Sequence, residues 1–261
     1  MTTKNTMELW NRYWKENPRS TEEDRFNHIR MENSILWLRI EAAIRKRFGS
    51  FEGLKVLEIG SGVGSVSALF SQRGADVTLL DYSDRALALA EDYYDRNGLK
   101  AEFILQDALH IPDTLCGQFD VSMSFGLTEH FLGEDRLAIN RAHSDVLREN
   151  GLTFILVPNR HNPPYRLCKF ASELFGFWKV GEEYPYSRKE LRDISRMIGL
   201  SDCFFIGDSL AGSFNFWLNP VRILKVLLKH KPKYDIQRIR RQKGSFMDQY
   251  LSYGLCLCGG R

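Results

Sequence analysis

The chain has 261 residues, of which 43% are hydrophobic and 26% charged, with a formal net charge of +3. That length can bury a large α/β core without covalent staples, and no apolar run approaches the ~20 residues that a membrane span needs. The five cysteines fall at spacings that match neither a disulfide framework nor a paired zinc site, and the first twenty residues lack an apolar signal core, so a cytoplasmic protein with reduced thiols and no bound metal is expected.

The charge is unevenly placed. Residues 1–150 hold 18 basic and 24 acidic side chains, whereas residues 151–261 hold 18 basic and 9 acidic ones. In chain order, Trp10, Tyr13 and Trp14 recur at helical spacing ahead of Pro18, and Ser20-x-x-Glu23 opens a helix predicted to run to residue 48, with Gly49 as its stop. Residues 1–49 therefore read as a helical cover.

Strand one is expected over 54–59. It breaks into Gly60-Ser61-Gly62-Val63-Gly64, where the missing Cβ atoms let the backbone turn sharply and approach a ligand. After a helix ending near Gly74, strand two runs over 76–81 and ends on Asp81, a carboxylate that can accept from both hydroxyls of a ribose. The two together describe a nucleoside pocket. A dinucleotide turn would carry a third glycine where Ser65 stands, and Glu58 beside the turn suits a cationic ligand better than a pyrophosphate.

The predicted elements continue as a helix over 84–96, strands over 102–105 and 119–125, a helix over 137–148 and a strand over 152–157. This alternation implies right-handed crossovers and a parallel sheet with helices on both faces. An aromatic-rich stretch, 160–187, is long enough to cap the site. Ser187 then caps a helix to about 198, strand six covers 202–206, and an antiparallel seventh strand is expected over 253–259, after an insertion at about 208–251.

The glycine turn, Asp81, Gln106-Asp107-Ala108 after strand three and Phe125-Gly126 after strand four come in one order at regular intervals. In this the chain resembles the class I S-adenosylmethionine-dependent methyltransferases over about residues 54–159. The resemblance implies a Rossmann-like α/β fold with a seven-stranded, mostly parallel sheet, in one domain spanning 1–261 with its cofactor core at 50–159. It implies S-adenosyl-L-methionine as cofactor, with the methyl group already activated, so that no nucleophilic side chain is required.

By the same resemblance, Glu58 and the backbone of Gly60, Ser61, Gly62 and Gly64 border the methionine part, Asp81 the ribose and Tyr82 one adenine face. Asp107 accepts from the adenine amino group beside Ala108, Phe125 lines the pocket, and Trp14 belongs to an N-terminal aromatic segment that closes it. The plain alternatives are a turn carboxylate, a helix cap and core aromatics.

Ligands of open α/β sheets lie beyond the carboxyl ends of the strands. Thr128, Glu129 and His130 after strand four, with Asn159 and His161 after strand five, are thereby brought toward the reacting methyl. Glu129 and His130 are the catalytic candidates, His130 as base because imidazole titrates near neutrality; a histidine bonded to backbone is the alternative. Glu182 and Glu183 could bind a cationic acceptor or form a solvated turn. Asn162-Pro163-Pro164-Tyr165 resembles a motif of enzymes that methylate exocyclic or amide nitrogens, but there it follows strand four, and a proline-stiffened loop explains it here.

From Arg222 to Lys243 the insertion holds nine basic residues and one acidic one. A basic amphipathic helix of this kind can lie on a membrane surface or simply pack and solvate its lysines. Nucleic acid is disfavoured, because the aromatics precede the charges instead of interleaving with them. The expected function is methyl transfer to an O or N of a small molecule, an amphiphilic one included. An RNA or protein methyltransferase and a non-catalytic cofactor-binding module are the competing readings, and the oligomeric state is left open.

Overall fold

Seven apolar segments pair into one sheet in the order β3-β2-β1-β4-β5-β7-β6 in the computed structural model, which describes residues 5–178, 180–218 and 234–261. The strands are β1 (Lys55–Ile59), β2 (Asp76–Asp81), β3 (Glu102–Leu105), β4 (Phe119–Phe125), β5 (Leu147–Pro158), β6 (Ser201–Gly207) and β7 (Gly254–Gly260). All neighbours run parallel except β7, which is antiparallel to both β5 and β6. The chain winds outward from β1 to β3, then restarts at β4 on the other side of β1. Their shared border is the switch point where such sheets bind ligands.

Alternate residues of the strands feed different cores, as a period of two requires. Val56, Met123, Phe154, Cys256 and Cys258 join Trp37, Phe70 and Tyr94 on one face. Leu57, Ile59 and Leu80 join Phe119 and Ile139 on the other. Cys256 and Cys258 are thus packing residues with sulfurs 4.0 Å apart, and all five cysteines are free.

The helices are α1 (Met7–Glu16), α2 (Thr21–Glu32), α3 (Ile35–Phe48), α4 (Ser67–Ser71), α5 (Asp84–Arg96), α6 (Gly133–Asp145), α7 (Pro163–Leu174) and α8 (Arg188–Met197). The single helix predicted over 20–48 is two. Ser34 interrupts it by accepting the Trp37 N–H at 3.1 Å, a second N-cap that redirects the chain so that Trp37, Ile40 and Ile44 are fully buried. The helix predicted over 137–148 lies earlier, because Leu147 already pairs with Phe119 as the start of β5.

The Asn162-Pro163-Pro164-Tyr165 motif is a helix start. Asn162 Oδ1 accepts the Tyr165 N–H at 2.8 Å, the prolines occupy the first turn where no N–H is needed, and Asn162 Nδ2 donates to the Leu251 carbonyl at 2.7 Å. Ser187 and Glu190 form the capping box that opens α8. The basic helix expected within the insertion falls mostly on residues 219–233, outside the described residues. Beyond them the chain lies on α2 and α3, with Tyr234 5.6 Å from Phe26 and the Gln242 N–H donating to the Asn33 carbonyl at 2.9 Å. No described helix is long and apolar enough to cross a membrane.

His143 of α6 is fully buried, and burial pushes its imidazole down to about 4, although the Ile139 carbonyl accepts from Nδ1 at 2.9 Å. Between that value and the ordinary ~6.5 the unfolded chain binds a proton that the folded one does not, so this contribution to stability is lost as pH falls. Across that window the wild type is expected to lose about 3 kcal/mol more than His143→Gln in denaturant titrations. Equal losses would refute the assignment.

Candidate functional site

The turn after β1 is fixed by backbone and by one carboxylate. The N–H groups of Gly60 and Ser61 both donate to the Leu80 carbonyl, at 2.8 and 3.1 Å, which ties the turn to the end of β2. Asp81 completes the tie: Oδ2 accepts the Gly62 N–H at 2.8 Å and Oδ1 the Ser83 N–H at 2.9 Å. The carboxyl is buried, which raises its pKa, while those backbone donors pull it back.

Gly62 has φ +54°, and a Cβ there would lie 2.9 Å from Cζ2 of Trp14, so both the backbone and the ring favour glycine at this position. Ser61 Oγ is buried without a hydrogen-bond partner among the described residues. Glu58 is turned toward α4, where its Oε2 accepts from both the hydroxyl and the N–H of Ser67. Burial, with Asp81 nearby, pushes Glu58 up to about 7.

Helix α1 roofs this turn. Besides Trp14 on Gly62, the Ser83 hydroxyl donates to Asn11 Oδ1 at 2.5 Å, and the Trp10 ring meets His130 edge-on at 5.1 Å. Trp10 also bonds to Tyr82, whose phenol is raised by burial and by Asp81. Asp107 is nearly half exposed and caps a 3-10 turn, accepting the Leu109 N–H at 2.9 Å and facing His110 Nδ1 at 3.0 Å, with Ala108 buried behind it. Phe125 packs against the main core.

The turn after β4, Thr128–His130, forms the opposite wall and is held by residues 182–186 of the cap. The Tyr184 N–H donates to the Glu129 carbonyl at 2.8 Å, the Tyr186 hydroxyl to the Thr128 carbonyl at 3.1 Å, and His130 Nδ1 to the Glu182 carbonyl at 2.8 Å. Asn5 bridges both segments, donating to the carbonyls of His130 and Glu182 at 3.2 and 2.9 Å. Burial lowers the His130 pKa even though two backbone carbonyls favour its charged form.

The Glu129 carboxyl is 2% exposed, and its Oε2 has no hydrogen-bond partner among the described residues. Burial and the nearby Glu183 push its pKa well above the carboxylate range. Glu129, His130 and Glu183 can each present one ligand atom within 4.8 Å of the others. Glu183 is itself raised by burial and accepts from the Tyr165 hydroxyl at 2.7 Å. Asn159 instead secures the chain just ahead of β7, donating to the carbonyls of Tyr250 and Ser252. His161 is exposed.

Of the residues singled out in the sequence, the glycine turn, Asp81, Tyr82 and Trp14 converge beside Glu129 and His130, with Asp107 at the outer margin. Asn5 and Tyr165 were not anticipated as parts of the site. Asn5 carries no local signal, and Tyr165 joins the site because Asn162 caps a helix that turns this side chain inward.

A methyltransferase-domain family model matches residues 56–151. A ubiquinone biosynthesis O-methyltransferase from Pseudomonas aeruginosa is 31% identical over 161 residues, covering 57% of this chain and 68% of that protein. The chain belongs to the class I S-adenosylmethionine-dependent methyltransferase family. A relative of the same name from Bordetella avium is 27% identical over 130 residues, half of this chain, so the match spans only 53% of that protein's length.

The family's fold extends over nearly the whole chain. Magnesium protoporphyrin IX methyltransferase from Synechocystis, solved with bound S-adenosylhomocysteine, superposes with a TM-score of 0.57 at 15% identity, over 97% of this chain and 93% of that one. A possible histamine N-methyltransferase from Thermotoga maritima superposes with a TM-score of 0.59 at 14% identity, over 98% and 99%. The expected fold class, family and cofactor are thereby borne out.

Gly62→Ala is expected to destabilise this family member by about 1–3 kcal/mol, through φ strain and the blocked contact with Trp14. In a double-mutant cycle, Trp14→Ala should recover the steric part and leave the strain. Strict additivity of the two changes would show that the ring does not bear on Gly62.

Proposed function

We propose that the protein transfers a methyl group from S-adenosylmethionine to a hydroxyl oxygen of a small molecule. One observation carries this reading: a buried carboxyl, Glu129, whose Oε2 has no hydrogen-bond partner among the described residues, in the turn after β4, the strand that neighbours β1. The name of the Pseudomonas and Bordetella relatives supports oxygen as the attacked atom. Placement in the cytoplasm belongs to the same reading, supported by five free cysteines.

When bound, the cofactor supplies a methyl group already activated on a sulfonium. The residues present fit it. Asp81 is held by backbone donors and keeps acceptor capacity for ribose hydroxyls, Ser61 Oγ offers an unused hydrogen-bonding group, and Trp14 with Tyr82 supplies apolar cover. Glu58 acts on the turn through Ser67 and α4, and Asp107 with Ala108 forms the adenine end.

Glu129 accepts the proton that the acceptor hydroxyl must lose. Its raised pKa makes it a stronger base than an ordinary carboxylate. His130, clamped through Nδ1–H to the Glu182 carbonyl and kept neutral by burial, positions that turn. The walls formed by α1 and the cap hold the acceptor and exclude water, and such positioning can account for about 7–11 kcal/mol of barrier.

A second reading rests on the 4.8 Å cluster of Glu129, His130 and Glu183, which could seat a divalent cation that acidifies the hydroxyl. Turnover that survives EDTA assigns the proton to Glu129 directly; loss restored by Mg²⁺ assigns it to the cation.

With a panel of hydroxylated and amine-bearing small molecules, mass spectrometry should find a methyl gain on the hydroxylated ones. Glu129→Gln is expected to lower kcat by about 10²–10⁴-fold with cofactor Kd unchanged. In the wild type kcat/KM should rise with pH through the elevated Glu129 ionisation, since the deprotonated form is the active one. Asp81→Ala should weaken cofactor binding about tenfold or more in calorimetry, because the ribose loses its acceptor. Methylation confined to amines, or a fully active Glu129→Gln, would overturn the proposal.

A further inference from the structure

Away from the cofactor turn, a cavity of about 460 Å³ opens between α8 and the edge strand β6. Four strand spacings, roughly 19 Å, separate β6 from β1 across the sheet, so this cavity is distinct from the site described above. Its volume suits a small metabolite. Arg188, Arg192 and Arg196, successive turns of one stripe of α8, all line it, and no carboxylate does among the described residues. The acidic side chains of α8 are engaged elsewhere: Glu190 pairs with Arg136 and Arg160, and Asp193 with Lys189 and Arg196. Arg188 and Arg192 are left without an anionic partner among the described residues.

The Arg188 guanidinium is held in a fixed plane. Its central carbon lies 4.8 Å from the centre of the Phe205 ring and 4.4 Å from that of Tyr250, and Nη2 donates to Gln249 Oε1 at 3.3 Å. Its Nε is buried with no hydrogen-bond partner among the described residues. A charged donor in that state is costly and calls for an acceptor. Arg192 stands one turn further along, 5.8 Å from the same Phe205 ring, and is exposed with no hydrogen bond or ion pair among the described residues. Two guanidinium forks anchored on one ring suit an oxyanion, and their two charges match a phosphate monoester, which carries about −1.5 to −2 near pH 7, better than a carboxylate. Leu200 and Phe204 line the same cavity, and Phe204 is 40% exposed, which supplies a seat for an apolar body attached to the phosphate.

We propose that the cavity between α8 and β6 binds a small phosphate monoester, with Arg188 and Arg192 on the phosphoryl oxygens and the apolar part of the ligand against Leu200 and Phe204. The binding does not rest on the function proposed above, because none of these side chains belongs to the cofactor turn or to the turn that carries Glu129.

The test is calorimetry of the full chain with phenyl phosphate, in the presence of S-adenosylhomocysteine. Saturable heat is expected, with inorganic phosphate and benzoate each binding about tenfold more weakly, since one lacks the apolar body and the other the second charge. Affinity should fall as pH is lowered through the second phosphate ionisation, at about 6, where the ligand loses a charge. Arg192→Gln, at an exposed position, should weaken binding about tenfold or more with the melting temperature and cofactor Kd unchanged, and Arg188→Gln should weaken it at least as much. Glu129→Gln should bind phenyl phosphate as the wild type does. An absence of heat at millimolar phenyl phosphate, an Arg192→Gln variant that binds like wild type, or benzoate bound as tightly as phenyl phosphate would overturn the proposal. So would loss of binding in Glu129→Gln, which would put the compound in the acceptor site. Phenyl phosphate held by these arginines in a protein unable to methylate any hydroxyl would refute the function and leave this cavity standing.

Discussion

The site depends on a buried carboxylate that bonds to backbone on two sides. Asp81 ends β2, yet its oxygens hold the N–H of Gly62 from the turn after β1 and the N–H of Ser83 from the cap of α5. A charge in that position is costly unless donors surround it, and here the donors are main-chain groups that would otherwise be unsatisfied at the turn. One interaction therefore neutralises two liabilities and locks adjacent loops in register. With the turn locked, Trp14 can rest on Gly62, and α1 gains a fixed seat from which Trp10 reaches His130.

Much of this was legible in the chain because it is written locally. Glycines at 60, 62 and 64, an aspartate closing the next apolar run and the regular return of strands are short-range signals, and β2, α5, β3 and β4 begin and end where periodicity places them. The errors arose where a local signal had two meanings. Ser34 falls inside the long helix that the pattern predicts, although its place three residues ahead of Trp37 also suits a cap. Residues 147 and 148 end the predicted helix over 137–148, although the pairing of Leu147 with Phe119 places them in β5. Asn162-Pro163-Pro164-Tyr165 proved to be helix initiation chemistry.

What the sequence could not show is convergence over long separations. Glu129 and Glu183 are far apart in the chain and meet only because the Tyr184 N–H and the Glu182 carbonyl hold the cap onto the turn after β4. Asn5 reaches the same two segments from the other end of the chain. The orientation of α7 was equally hidden, since an amphipathic pattern states that two faces differ and is silent on which one turns inward. Tyr165 and Lys169 settled that by pairing with groups inside the protein. The cap is thus a wall whose inner surface is polar and aromatic and whose outer surface is greasy.

The antiparallel strand β7 lies between β5 and β6, although it follows both in sequence. During synthesis, β5 and β6 therefore leave the ribosome before the strand that joins them exists, and the backbone edge of β5 stays unpaired until residues 254–260 emerge. An open edge next to Phe154 and Ile155 is a template for pairing with another nascent chain. Translation speed across the intervening stretch, and holdase chaperones that cover the edge meanwhile, consequently bear on how much of this protein reaches its native state.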